Sequence, residues 1–339
     1  MSAAPSPAPR RSDEVPLLEV RDLAVTYHSQ KEPVYAVRGV DLTLRRGETF
    51  GMAGESGSGK TTVAMSLLRL LPAQAETTGR VLFDGEDLLD ASWGRIRAVR
   101  WADASVVFQG AMSAMNPVQT VGAQIVEPIL LHEKVTEREA QARARSLLDS
   151  VGVPSRRVNS YPHELSGGQR QRVMMAMALA CDPQLVIADE PTTALDVIVQ
   201  AQILALLTDL VRERGISLIM ITHDLSVLTQ TCDRIGVMYA GKLVETGPSL
   251  EVIGAPLHPY THALSGAFPT LGDPRSRRAP GGLAGDPPDL RQTFDGCPFA
   301  PRCPLVQDRC RHGEIPLVSQ GNRAAACVLV PDGEGGPHA

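Results

Sequence analysis

The chain has 339 residues, 43% of them apolar and 21% charged, which is enough for one full folded domain and a smaller appendage. Its net charge of −5 argues against a nucleic-acid binder, because neutralising phosphates needs a basic face. No uninterrupted apolar run reaches the roughly 18 residues that a membrane helix needs; the richest stretch, Val173 to Ile187, is broken by Asp182 and Pro183.

Met1 to Ser12 is rich in Ala, Pro and Ser and has no apolar segment, so it does not read as a secretory signal. A disordered tail over residues 1–15 of a cytoplasmic protein is expected. From Leu17 to Leu44 short alternating pieces, Leu18–Val20, Ala24–Tyr27 and Val40–Leu44, predict an antiparallel sheet layer. Glu48–Ala53 reads as a strand entering a glycine-rich turn, and Thr61–Leu71 as a helix closed by Pro72. Helical spacing continues through residues 119–150, where Gly152 and Pro154 stop it, and returns in Gly167–Ala180 and Val197–Arg214. Between these lie the apolar strands Leu185–Ala188 and Leu218–Thr222. Alternating buried strands and helices predict a mostly parallel sheet, hence an α/β fold. After Gly247 prolines punctuate a loop-rich segment, so the expected organisation is a main domain over 16–255, with a helical subdomain at about 110–165, and an extension over 256–339. The main domain is not repeated, so the chain carries one such unit.

Gly54-Glu55-Ser56-Gly57-Ser58-Gly59-Lys60-Thr61 fits the phosphate-loop pattern G-x-x-x-x-G-K-[ST], set between strand and helix, with Thr62 following. Its glycines let backbone N–H groups wrap a phosphate, and the helix N-terminus adds partial positive charge. Lys60 would bridge the β- and γ-phosphates of ATP and Thr61 would hold Mg²⁺. Leu185–Ala188 ends in Asp189 and Glu190. There Asp189 would hold the Mg²⁺ shell and Glu190 would act as general base toward the attacking water. A third element, Leu165-Ser166-Gly167-Gly168-Gln169, places an N-cap serine and two glycines at the start of a helix, a second anion-binding helix end.

Leu165–Gln169 falls between the other two motifs in the chain, and in that order the three resemble those of the ABC ATPases, whose signature segment binds the nucleotide of the opposite subunit in a head-to-tail dimer. Together with the peptide-importer features of the C-terminal extension described below, the resemblance covers roughly residues 17–330. It implies an ABC-type P-loop NTPase with an antiparallel β subdomain and a helical subdomain. It implies further roles: Gln109 beside Mg²⁺ or the lytic water, Asp196 in the interface loop Ala194-Leu195-Asp196, His223 at the γ-phosphate, and Tyr27 on the adenine. Gly110 and Ala111 depart from the pattern, since an acidic residue and a proline are expected after the glutamine.

Asn116-Pro117 and the segment His258-Pro259-Tyr260-Thr261-His262-Ala263-Leu264, with Ala267-Phe268-Pro269 after it, resemble the dipeptide/oligopeptide and nickel importer branch. That branch implies ATP-driven import of peptides from the cytoplasmic face of the membrane. Its partners would be a second ATPase subunit, more readily a different one than a copy, two permease subunits and an extracytoplasmic solute-binding protein. Nickel chelates and other small solutes are compatible with the same residues. A soluble ABC ATPase acting on nucleic acid or ribosomes is the competing class, but the tandem units or long coiled-coil insertions usual there are missing. An exporter ATPase is the third, more often fused to membrane helices.

Cys297, Cys303, Cys310 and Cys327 have the spacing C-x5-C-x6-C-x16-C, four soft ligands among prolines. They suit a [4Fe–4S] cluster, as the resemblance to related importer subunits implies, with Zn²⁺ or a metal-free thiol cluster as alternatives. Cys181 and Cys232 stand alone and read as apolar fillers.

Overall fold

The computed structural model describes residues 15–29, 32–108, 114–192, 195–267 and 285–331. Apart from Val15, the expected N-terminal tail lies outside the described residues, as do Gln109, Gly110, Ala111 and Ala194. In chain order the strands are β1 (Leu18–Tyr27), β2 (Val34–Leu44), β3 (Thr49–Ala53), β4 (Ala75–Phe83), β5 (Glu86–Asp87), β6 (Ala104–Val107), β7 (Leu185–Asp189), β8 (Ser217–Ile221), β9 (Arg234–Tyr239), β10 (Lys242–Pro248), β11 (Val318–Gln320) and β12 (Arg323–Ala325). The α-helices are α1 (Lys60–Leu67), α2 (Trp93–Val99), α3 (Val121–His132), α4 (Glu137–Ser150), α5 (Gly167–Ala178), α6 (Val197–Arg214), α7 (Leu225–Thr231), α8 (Ser249–Gly254) and α9 (Pro259–Ala267).

Strands β2, β1, β4 and β5 form the antiparallel layer. The larger sheet runs β11-β12-β10-β9-β3-β8-β7-β6, with β9, β3, β8, β7 and β6 parallel. Successive side chains of a strand face opposite sides, and both sides are buried here. On one face Phe50, Met52, Leu185, Ile187, Ile219 and Ile221 pack with Val20, Val25, Val37 and Val81 of the antiparallel layer. On the other, Val186, Ala188, Leu218, Met220, Ile235 and Val237 pack with α5, α6 and α7. Burying each such branched side chain is worth roughly 1.5–3 kcal/mol. This explains why the central strands read as apolar runs rather than as alternation.

Helix α1 stops before Pro72. Its last turn ends at Leu67, Arg69 takes a φ of +52°, and the Arg100 guanidinium donates to the carbonyls of Leu68 (3.0 and 2.8 Å) and Arg69 (2.7 Å). Those carbonyls are satisfied by a distant side chain, so no further turn is needed. The helical region of residues 119–150 is two helices, each entered through a threonine cap: Thr120 for α3 and Thr136, in a capping box with Glu139, for α4. Buried Gln124 of α3 receives the Asn116 N–H at 2.9 Å and donates to the Asn116 carbonyl at 3.0 Å. The chain leaving β6 is thereby fixed to the helical layer.

The extension is joined to the main domain by strand pairing as well as by chain. Strand β12 pairs with β10 (Glu245 opposite Ala325), which adds the β11–β12 hairpin to the sheet edge. Fully buried Glu245 accepts the N–H groups of Leu257 (2.8 Å) and His258 (2.9 Å) and thereby orients the entry to α9.

Candidate functional site

The phosphate loop leaves the carboxyl end of β3 and enters α1 through Gly54 and Gly59, whose φ angles are +147° and +103°. A Cβ on Gly54 would lie 2.3 Å from the Met238 carbonyl oxygen, and one on Gly59 would lie 2.4 Å from that of Ala36. Both positions therefore exclude a side chain sterically as well as conformationally. The loop is closed by hydrogen bonds from the Ser58 N–H to the Glu55 carbonyl (3.2 Å) and from the Gly241 N–H to the Ser58 carbonyl (3.0 Å). Inside it, Lys60 Nζ donates to the carbonyls of Gly54 (2.9 Å) and Glu55 (2.8 Å) and to Ser58 Oγ (3.1 Å). Burial pulls the Lys60 pKa below its ordinary value, while Glu190, Asp189 and Glu55 oppose that shift.

Parallel β3, β8 and β7 are adjacent, so their carboxyl ends bring together residues far apart in sequence. Asp189, 2% exposed, receives a hydrogen bond from Thr61 Oγ1 at 3.2 Å. Burial raises its pKa, and the Thr61 bond works against that. Glu190 holds a φ of +43° and its N–H donates to the Ile221 carbonyl at 2.9 Å. Its carboxylate lies 3.4 Å from Nδ1 of exposed His223. Tyr27, at the end of β1, shares a hydrogen bond with Thr62 Oγ1 at 3.3 Å. Lys60, Thr61, Asp189, Glu190 and His223 thus meet at the carboxyl ends of these adjacent strands. Gln109 lies outside the described residues.

Ser166, Gly167, Gly168 and Gln169 occupy a different place. The Ser166 hydroxyl accepts from the Gln169 N–H (3.3 Å), and the Gln169 side chain accepts from the Ser166 N–H (3.1 Å). That box leaves exposed Ser166 at the N-terminus of α5. Gly168 packs on the start of α6, where an added Cβ would lie 2.9 Å from Val199. Asp196 caps α6 by accepting the Val199 N–H at 3.0 Å.

The C-terminal cysteines share one loop-rich segment, in which the Cys297 N–H donates to the Cys310 carbonyl at 2.8 Å. Burial pushes the Cys297 thiol up to about 11 and raises Cys303 and Cys327. A metal that demands thiolates would have to offset that burial. The donor chemistry fits a soft metal or cluster. However, among the described residues no three His, Cys, Asp or Glu side chains stand at metal-holding spacing, so the expected ligand set is gathered but not preassembled. Of the isolated cysteines, Cys232 is buried and Cys181 partly so, with thiols raised to about 12 and about 11 by burial.

Comparison with known proteins fits this geometry. Residues 37–193 match the family described as ABC transporter, and residues 244–310 match the family described as oligopeptide/dipeptide transporter, C-terminal region. A probable peptide ABC transporter ATP-binding protein of Sinorhizobium fredii is 46% identical over 92% of this chain and 94% of its own length. The chain belongs to the ATP-binding subunits of the oligopeptide/dipeptide ABC transporter family. Two further members of that family are similar at the same level. The dipeptide transport ATP-binding protein DppD of Bacillus subtilis is 45% identical, with 88% of this chain and 90% of that protein covered. The oligopeptide transport ATP-binding protein OppD of Salmonella typhimurium is 43% identical, with 92% and 93% covered. Among solved structures, a dimeric ATP-binding cassette, MJ0796, in a post-hydrolysis state bound to ADP and Pi superposes with a TM-score of 0.62 at 29% identity. The match covers 68% of this chain and 98% of that one, so the ABC ATPase fold is shared.

Contacts of the extension with the phosphate loop had no sequence signal. Tyr260 Oη accepts the Glu55 N–H at 2.8 Å, and Arg302 pairs with the Glu55 carboxylate at 2.8 and 3.0 Å.

Proposed function

We propose that this chain is the ATP-hydrolysing subunit that drives peptide import across the cytoplasmic membrane, working with a second ATPase subunit, two permeases and an extracytoplasmic solute-binding protein. Among the described residues no helix is long and apolar enough to cross a membrane, which fits a peripheral subunit that works through permeases. The observation that carries the reading is the convergence of Lys60, Thr61, Asp189, Glu190 and His223 at the carboxyl ends of adjacent parallel strands.

In this reading Lys60 turns from its carbonyl partners to the β- and γ-phosphates of ATP. Thr61 and Asp189 would hold Mg²⁺, which neutralises phosphate charge, together with Gln109. Glu190 accepts the proton of the attacking water, and His223, 3.4 Å from it, orients that carboxylate and contacts the γ-phosphate. Tyr27 lies under the adenine. Ser166–Gln169 complete the nucleotide held by the other ATPase chain, and Asp196 lies in the seam between the two. The cysteines Cys297, Cys303, Cys310 and Cys327 would carry a [4Fe–4S] cluster, or in second place zinc.

Replacing Glu190 by Gln tests the chemistry. Loss of the base lowers turnover by about 10²–10⁴-fold and leaves ATP bound in a closed dimer. Undiminished peptide-stimulated turnover by the assembled transporter carrying Glu190→Gln would reject the role.

A further inference from the structure

Glu55 is gripped at each of its polar groups. Its carbonyl holds Lys60 Nζ at 2.8 Å, its N–H donates to Tyr260 Oη at 2.8 Å, and both oxygens of its carboxylate accept from Arg302. Tyr260 and Arg302 both belong to the extension, and Arg302 sits immediately before Cys303. The ion pair is bidentate and shielded, with side-chain exposures of 7% for Arg302 and 22% for Glu55. Such a two-point, charge-assisted contact fixes orientation as well as distance. Arg302 also donates to Tyr239 Oη at 3.2 Å. Beneath them Tyr239, Tyr260 and Phe299 form a buried aromatic trio with centroids 4.5, 5.3 and 5.4 Å apart. A second stretch, Pro287, Pro288 and Leu290, borders Glu55 to Ser58, and the Leu290 carbonyl accepts the Tyr35 N–H at 3.0 Å.

A carboxylate inside a loop that receives a polyphosphate is unfavourable unless its charge is matched. The matching charge comes from Arg302. We infer that Arg302 and Tyr260 are positioning residues for ATP: through Glu55 the extension neutralises and aims the phosphate loop, and so sets the place of Lys60. This rests on the reading of Gly54–Thr62 as the ATP phosphate site.

The charge of Glu55 separates this role from simple anchoring. In the assembled transporter, Arg302→Gln is expected to raise the KM for ATP by about tenfold, the lower end of the range for a lost charged contact, with kcat within about twofold. Adding Glu55→Gln to that variant removes the unmatched charge and returns KM to within about threefold of wild type. A purely structural arginine gives no such rescue, and a KM that stays high or rises again in the double variant overturns the inference. Tyr260→Phe keeps the aromatic trio and removes only the acceptor of the Glu55 N–H; it is expected to raise KM about threefold while the protein stays folded, with its melting temperature lowered by only a few degrees. It carries the test if Arg302→Gln unfolds the extension, and wild-type KM in Tyr260→Phe would then overturn the inference. Lys60→Ala distinguishes the two levels. Normal ATP binding by Lys60→Ala rejects the phosphate-site reading itself, whereas lost binding there with wild-type KM in Arg302→Gln rejects only the role of the extension.

Discussion

Glu190 keeps a left-handed φ of +43° that a side chain of its kind rarely adopts, directly after the buried Asp189. Such strain costs on the order of 1–3 kcal/mol and persists where surrounding structure over-determines it, here the hydrogen bond to Ile221 and the meeting with His223. A second costly residue, His258, is buried in the extension, where Nδ1 accepts the Tyr260 N–H at 3.0 Å. Desolvation lowers its pKa from 6.5 to about 4. Protons then bind the unfolded chain preferentially between those values, so the contribution of His258 is neutral above about pH 6.5 and is lost as pH falls toward 4. Buried Glu245 has a raised pKa of the opposite sense, so the readout is the difference between wild type and His258→Asn, which retains an acceptor for the Tyr260 N–H. Wild type is expected to lose about 3 kcal/mol relative to the variant between pH 7 and 4, by denaturant melts; parallel pH profiles would contradict it. At this scale the local placement was legible wherever a motif dictates backbone shape, as at Gly54 in its left-handed turn, Asp189 at the end of β7 and Ser166 at the cap of α5. It was not legible at Arg302 and Tyr260, which reach Glu55 across 247 and 205 residues of sequence, distances over which no local pattern extends.

Elements followed the sequence where burial alone decides them. Strands β7 and β8 and helices α5 and α6 lie within a few residues of the expected bounds, because apolar runs and caps such as Ser166 and Asp196 are local signals. Boundaries set by tertiary contacts did not: α1 ends early because Arg100 reaches its carbonyls, and the hairpin β11–β12 forms because β10 offers an edge. The four-cysteine segment belongs at this scale too, since 3₁₀ turns at Ala300–Arg302 and Asp308–Cys310 give its loops little regular structure of their own. A metal would supply the missing restraint. Anaerobically purified protein is expected to be brown with thiolate-to-iron absorbance, and stripping the metal should first loosen hydrogen-exchange protection across residues 285–331. Colourless protein with stoichiometric zinc would reject the cluster, and metal-free protein with unchanged protection would reject both.

For the whole molecule, one chain presents two helix starts that the proposed function assigns to anions: the phosphate loop at the carboxyl end of β3, and the capped start of α5. Val197 and Ile198, directly after the Asp196 cap, are 80% and 72% exposed, an apolar step beside the signature helix that a second ATPase chain would cover. The extension adds a third part, tied to the phosphate loop through Glu55. In the proposed function, nucleotide held at Lys60 in one chain is completed by the amides after Ser166 in another. A structure of the transporter carrying Glu190→Gln, trapped with ATP and Mg²⁺, tests it most directly. The Gly167 and Gly168 amides should lie within hydrogen-bond reach of the γ-phosphate held by the opposite chain; a closed complex in which that segment faces away from every phosphate would contradict the account.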